Sequence, residues 1–123
     1  MSSLDGKRIL IVEDEVLVAA LLEEMLVELG AIVVGPAHTV SKGLELARKA
    51  GVDGAVLDVN VNSVGIDPVA DELAARRIPF IFATGYGSAA RRIAGAAPIV
   101  EKPYSKDVVA AAMCAAFGLA SRT

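Results

Sequence analysis

Apolar residues gather in five short runs, residues 8–12, 31–34, 55–59, 80–83 and 98–100, each of strand length and nearly unbroken. A sheet with one wet face would alternate apolar and polar positions. Runs without alternation predict strands covered on both sides, and so a central parallel sheet. Between the runs the spacing changes to that of helices. Leu17, Leu21, Met25 and Leu29 form one stripe before Gly30, with Glu23, Glu24 and Glu28 on the opposite face. Ser41 is placed to open a second helix holding Leu44, Leu46 and Ala47 and stopped at Gly51. Pro68 suits the first turn of a third, with Val69, Leu73 and Ala74 inward. A fourth, residues 88–94, is rich in Ala and Arg and weakly amphipathic. The last starts at Ser105, an N-cap residue, and runs through Val109, Met113, Ala116 and Phe117 to Gly118. Strand and helix alternate five times with short connections. The pattern predicts an α/β fold: a doubly wound, five-stranded parallel sheet with five helices.

Composition narrows the class. The 123 residues fit one domain, 1–123 with its core over about residues 7–119. A hydrophobic fraction of 54% against 22% charged residues excludes a disordered chain. Fifteen acidic and twelve basic residues give a net charge of −3. That balance offers no attraction to nucleic acid or an anionic membrane, so neither is expected as a partner. Arg76-Arg77 and Arg91-Arg92 read as solvated helix ends or, for the second pair, as contacts to an acidic partner. A single cysteine, Cys114, excludes an intramolecular disulfide and a Cys-rich metal site; its apolar neighbours at helical spacing make it a core residue. No apolar run approaches the ~20 residues of a membrane span, and the short polar start carries no export signal. A cytoplasmic protein is expected.

Doubly wound sheets bind ligands beyond the carboxyl ends of their strands. The residues there are Glu13-Asp14-Glu15 after the first strand, Asp58-Val59-Asn60 at the third, Thr84-Gly85-Tyr86 after the fourth and Lys102-Pro103-Tyr104 after the fifth. Carboxylates brought to one edge repel each other unless they share a cation or a proton. Oxygen ligands without His or Cys select Mg²⁺ or a similar hard ion. Such an ion neutralises charge on an incoming phosphoryl group, while Asp58 is placed to attack phosphorus. Lys102 adds positive charge from the facing loop, and the Thr84 hydroxyl can donate to a phosphoryl oxygen.

With the acidic pair, the central Asp, the Thr and the Lys-Pro at the ends of strands one, three, four and five, nearly the whole chain resembles the receiver domain of two-component response regulators. The resemblance implies a flavodoxin-like, CheY-like fold with strand order 2-1-3-4-5. It implies phosphorylation of Asp58 by a histidine kinase, with Mg²⁺ held by Asp14, Asp58 and the backbone carbonyl of Asn60. Glu13, the other member of the acidic pair, acts mostly through water. Thr84 and Lys102 take the phosphoryl oxygens, and the Lys102-Pro103 bond is expected to be cis. A narrower resemblance lies in Phe82-Ala83-Thr84-Gly85-Tyr86-Gly87, which looks like the "FATGYG" signature of a receiver subgroup from alphaproteobacterial signalling. That subgroup implies a kinase of the HWE or a related family. Ordinary receivers carry an aromatic switch residue three positions before the Lys; here that position is Ile99. The Gly85-Tyr86-Gly87 loop, free of side chains on both sides of Tyr86, is expected to report phosphorylation in its place.

The resemblance leaves several outputs open. A receiver with no residues left for an output domain is expected to stand alone. It can bind an effector through helix four, strand five and helix five, form a homodimer, return phosphate to a kinase, or drain it as a sink. The chain is then no enzyme beyond accepting a phosphoryl group and catalysing its own dephosphorylation. The alternative is a small Mg²⁺-dependent phosphatase of the haloacid-dehalogenase kind, but that family places its nucleophile after the first strand in a D-x-D pattern, where this chain has Glu13-Asp14-Glu15. A nucleotide-binding Rossmann domain needs a Gly-rich first turn, and this one is acidic. His38, in the turn Gly35-Pro36-Ala37-His38, reads as a lone surface histidine, and Tyr86 can equally be an aromatic filling space over the fourth helix.

Overall fold

Five strands, β1 (Arg8–Val12), β2 (Ile32–Ala37), β3 (Gly54–Asp58), β4 (Phe80–Thr84) and β5 (Ile99–Glu101), form one sheet in the order β2-β1-β3-β4-β5. Every neighbouring pair is parallel. The computed structural model describes residues 4–49, 51–58, 60–61, 64–84, 99–101 and 105–118. The helices among them are α1 (Val16–Glu28), α2 (Val40–Lys49), α3 (Asp67–Ala75) and a C-terminal helix (Lys106–Ala116). The predicted helix at residues 88–94 lies outside the described residues.

The unbroken strands fill two cores, as a sheet covered on both faces requires. Leu10, Val12, Ala55, Leu57 and Phe82 join Ala47 of α2 with Val69 and Leu73 of α3 in one cluster. Their sequence neighbours Ile9, Ile11, Val56, Ile81 and Ala83 join Ala19, Leu22 and Leu26 of α1 with Val109 and Met113 of the C-terminal helix in the other. The period of two along each strand thus separates the cores. Asp58, two residues beyond Val56, ends β3, all five of whose residues are buried.

The helix faces differ from the predicted ones at three places. In α1, Leu17 is 85% exposed and Leu21 42%, while Ala19, Leu22, Met25 and Leu26 are buried. A strict four-residue step drifts by about 40° each time, so the Leu17-Leu21-Met25-Leu29 stripe spirals off the core; alternating steps of three and four stay on it. Helix α2 opens two residues earlier than expected. The Thr39 hydroxyl, not that of Ser41, accepts the Lys42 N–H at 3.0 Å. In α3, Val69 and Leu73 are buried as expected but Ala74 is exposed, because it lies one residue past the inward line. Ser105 does cap the C-terminal helix, its hydroxyl accepting the Val108 N–H at 3.2 Å. Cys114 on that helix is half-buried.

Helices α1 and α3 end in the same way. Ala31 N–H bonds the Leu26 carbonyl and Gly30 N–H that of Val27; Ile78 N–H bonds the Leu73 carbonyl and Arg77 N–H that of Ala74. Both are Schellman endings, which need a left-handed residue at the second position of the turn. Glycine supplies it at Gly30 (φ +91), but at α3 it is Arg77 (φ +59). Among the described residues no helix is long and apolar enough to cross a membrane.

Candidate functional site

The β1–α1 connection is only three residues, Glu13, Asp14 and Glu15, and its conformation is fixed by the end of β2. Pairing of β1 with β2 slips by one residue, so Leu10 faces Val34 but Val12 faces Ala37. The slip carries the pairing beyond β1: Glu13 N–H donates to the Ala37 carbonyl at 2.9 Å. The Glu13 carbonyl lies 2.8 Å from Nδ1 of His38. A carbonyl oxygen only accepts, so Nδ1 carries the proton in this bond. The Glu13 carboxylate turns back and accepts the Glu15 N–H through Oε2 at 3.2 Å. Glu13 is wholly buried and Asp14 half-buried.

Asp58 is the last residue of β3, which lies between β1 and β4, so its carboxylate emerges at the middle of the carboxyl edge. It is 8% exposed. One carboxylate oxygen each from Glu13, Asp14 and Asp58 lies within 4.8 Å of the other two. Two of the three groups are buried, where water screens their repulsion poorly. A divalent cation removes that repulsion. The donors are all hard oxygens, the choice of Mg²⁺. Ligands about 2.1 Å from one octahedral ion stand roughly 2.9–4.2 Å apart, so oxygens within 4.8 Å can share an ion with little movement. The three residues therefore fit a hard divalent cation.

Asn60 lies two residues past Asp58, in a two-residue antiparallel pairing, Asn60–Val61 with Val64–Gly65, between β3 and α3. Thr84 ends β4, one position past Ala83, the residue that faces Asp58 across the β3–β4 pair. Thr84 faces Glu101, the last residue of β5 and the one before Lys102. The backbone thus brings the Thr84 position and the start of the Lys102 loop to the edge where Asp58 stands. The side chains of Asn60, Thr84 and Ile99, together with Gly85, Tyr86, Gly87, Lys102 and Pro103 and the expected cis bond, lie outside the described residues. So do Arg91 and Arg92.

One residue of the site was not singled out from the sequence. His38 reads as a surface residue there and is exposed in the structure, and its ring is in addition bonded to the acidic loop. Its place directly after β2, the strand that pairs with β1, was the available signal.

Comparison with known proteins agrees with this geometry. The family model described as "Response regulator receiver domain" matches residues 9–113. The chain is 34% identical over 110 residues to the phyllosphere-induced regulator PhyR of Methylorubrum extorquens, covering 84% of this chain and 40% of PhyR. It is 37% identical over 105 residues to the transcriptional regulatory protein PdtaR of Mycobacterium tuberculosis, covering 80% of this chain and 51% of PdtaR. The chain spans about half the length of these curated relatives. Among solved structures, the solution structure of SdrG from Sphingomonas melonis Fr1 superposes with a TM-score of 0.82 at 42% identity, covering 97% of this chain and all of SdrG. Sheet order, acidic edge, family match and these likenesses agree: the chain belongs to the response regulator receiver domain family.

Proposed function

We propose that Asp58 accepts a phosphoryl group from the phosphohistidine of a partner histidine kinase, and that the phosphorylated chain presents an altered surface to a downstream protein. The observation that carries this reading is the meeting of Glu13, Asp14 and Asp58 within 4.8 Å at the carboxyl edge of the sheet. In the step, the P–N bond of the donor breaks and an O–P bond forms to an Asp58 carboxylate oxygen. The donor imidazole leaves with the electron pair of the broken bond and takes up a proton. Asp14, Asp58 and the Asn60 carbonyl would hold Mg²⁺, with Glu13 acting through water, and the ion would supply positive charge against the phosphoryl oxygens. Lys102 and Thr84 hold those oxygens after transfer, by an ion pair and a hydroxyl hydrogen bond.

The bound phosphoryl group brings roughly two negative charges to a position that held one. Thr84 and Lys102 are drawn toward it, and the Gly85-Tyr86-Gly87 segment moves with Thr84. That segment stands in for the aromatic switch that Ile99 lacks, the arrangement of the "FATGYG" subgroup, for which an HWE-type kinase is the expected donor. The names of PhyR and PdtaR, both regulators, support a signalling output, delivered here in the cytoplasm to a separate protein. The chain accepts one phosphoryl group and does not turn over phosphate esters. Beryllofluoride with Mg²⁺ tests the reading. Amide resonances of Asp58, Thr84 and Tyr86 should shift in the wild type and stay put in Asp58→Asn. Equal responses in the two proteins would dismiss the assignment of Asp58.

A further inference from the structure

The acidic loop is fastened to the end of β2 at two points, and only one of them is a side chain. Glu13 N–H bonds the Ala37 carbonyl at 2.9 Å and the Glu13 carbonyl is bonded by His38 Nδ1 at 2.8 Å. The first bond belongs to any backbone that pairs this way. The second depends on a histidine at position 38. It also depends on the extra residue in β2, which moves the strand forward so that Ala37 faces Val12 and His38 stands beside Glu13. The bond grips the peptide between Glu13 and Asp14, the unit whose orientation sets where the Asp14 carboxylate leaves the chain. Asp14 is the least buried of the three carboxylates and so the least held by packing.

We propose that His38 is a positioning residue for the acidic pair: its Nδ1–H bond to the Glu13 carbonyl fixes the Glu13-Asp14 peptide and thereby holds the Asp14 carboxylate where a cation shared with Asp58 needs it. This rests on the reading of Glu13, Asp14 and Asp58 as a Mg²⁺ site. His38 itself touches neither the ion nor the phosphoryl group. Both the neutral Nδ1–H ring and the imidazolium can donate this bond, so the role does not depend on titration of the ring. It does demand the Nδ1–H form, which is the minor tautomer of a free neutral imidazole. Asparagine places an N–H near the position of Nδ1 and preserves the bond; alanine removes it.

The test is a Mg²⁺ titration of the full chain, followed by amide shifts of Asp14 and Asp58, for wild type, His38→Ala and His38→Asn, with melting curves of all three and ¹⁵N spectra of the wild-type ring. His38→Ala should bind Mg²⁺ about fivefold more weakly, the effect of one lost hydrogen bond of ordinary strength. His38→Asn should stay within about twofold of wild type on the same scale. His38→Ala lacks the bond in the apo protein as well and should melt no more than about 5 °C below the other two, and the wild-type ring should show a protonated Nδ1. Wild-type affinity in His38→Ala, equal weakening in both variants, or an unprotonated Nδ1 would each overturn the role of His38 while leaving the Mg²⁺ site intact. Absence of Mg²⁺ binding by the wild type would overturn the site, and this role with it.

Discussion

Asp58→Asn should stabilise the protein when Mg²⁺ is withheld and lose that advantage when Mg²⁺ is supplied. The substitution keeps the shape of the side chain and removes one of three negative charges. At 4.8 Å, the widest separation of the three oxygens, a pair of like charges repels by about 3.5 kcal/mol at an effective dielectric of 20 and about 0.9 kcal/mol in water. Two pairs disappear, with Glu13 and with Asp14. Against this, an amide accepts through one oxygen where the carboxylate offered two, at a cost of about 1–2 kcal/mol in hydrogen bonding at a position only 8% exposed. The balance runs from about zero to a gain of about 6 kcal/mol between those two limits, each kcal/mol raising the melting temperature by roughly 3–5 °C for a chain of this size. Mg²⁺ at a hundred times its dissociation constant stabilises the wild type by about 2.7 kcal/mol and the variant much less, so the two curves should converge. Thermal melts in chelator and in saturating Mg²⁺ measure both. A variant less stable than wild type in chelator, or equally ahead in both buffers, would refute the charge argument.

Other expectations concern the scaffold. Leu22→Ala should cost about 2–5 kcal/mol in urea unfolding, whereas Leu17→Ala should fall within about 0.5 kcal/mol of wild type, since Leu22 is buried and Leu17 is 85% exposed. Arg77→Gly should stabilise by about 0.5–1 kcal/mol, because relief of a left-handed non-glycine residue, about 1–2 kcal/mol, exceeds the added freedom of the unfolded chain; a lower denaturation midpoint would contradict this. The Arg76 guanidinium bonded to Glu72, with Arg48 at 3.3 Å on its other oxygen, holds the Glu72 carboxyl below its ordinary value of 4.5. A lowered carboxylate stabilises above its unfolded value and ceases to as pH falls through the folded one, so any advantage of wild type over Glu72→Gln should be full at pH near 7 and fade below about 4.5, as read from urea midpoints across that range.

Much of this protein could be read from its residues because unbroken apolar strands have few ways to be buried. Runs covered on both faces imply a parallel sheet, parallel strands imply crossovers, and the crossovers bring the strand ends to one edge. Glu13, Asp14 and Asp58 meet there as expected. The phase of α1 was harder to read, since Val16, Leu17, Leu21, Leu22, Leu26 and Val27 surround the helix and offer more than one apolar stripe. The Thr39 cap was masked by Ser41 two residues on, an equally good capping residue. His38 lies at the surface as its turn position suggests, but its bond to the Glu13 carbonyl could not be read, because a backbone carbonyl leaves no pattern in a sequence and the one-residue slip between β1 and β2 that brings them together has no marker beyond Gly35-Pro36.

The central claim is that Asp58 takes a phosphoryl group, and intact-protein mass spectrometry tests it most directly. Incubated with acetyl phosphate and Mg²⁺, the wild type should gain the mass of one phosphoryl group, mapped to Asp58 by borohydride reduction and peptide analysis. Asp58→Asn, or wild type in chelator, should gain none. Equal labelling of wild type and Asp58→Asn, or modification of the wild type mapped to another residue, would contradict the account.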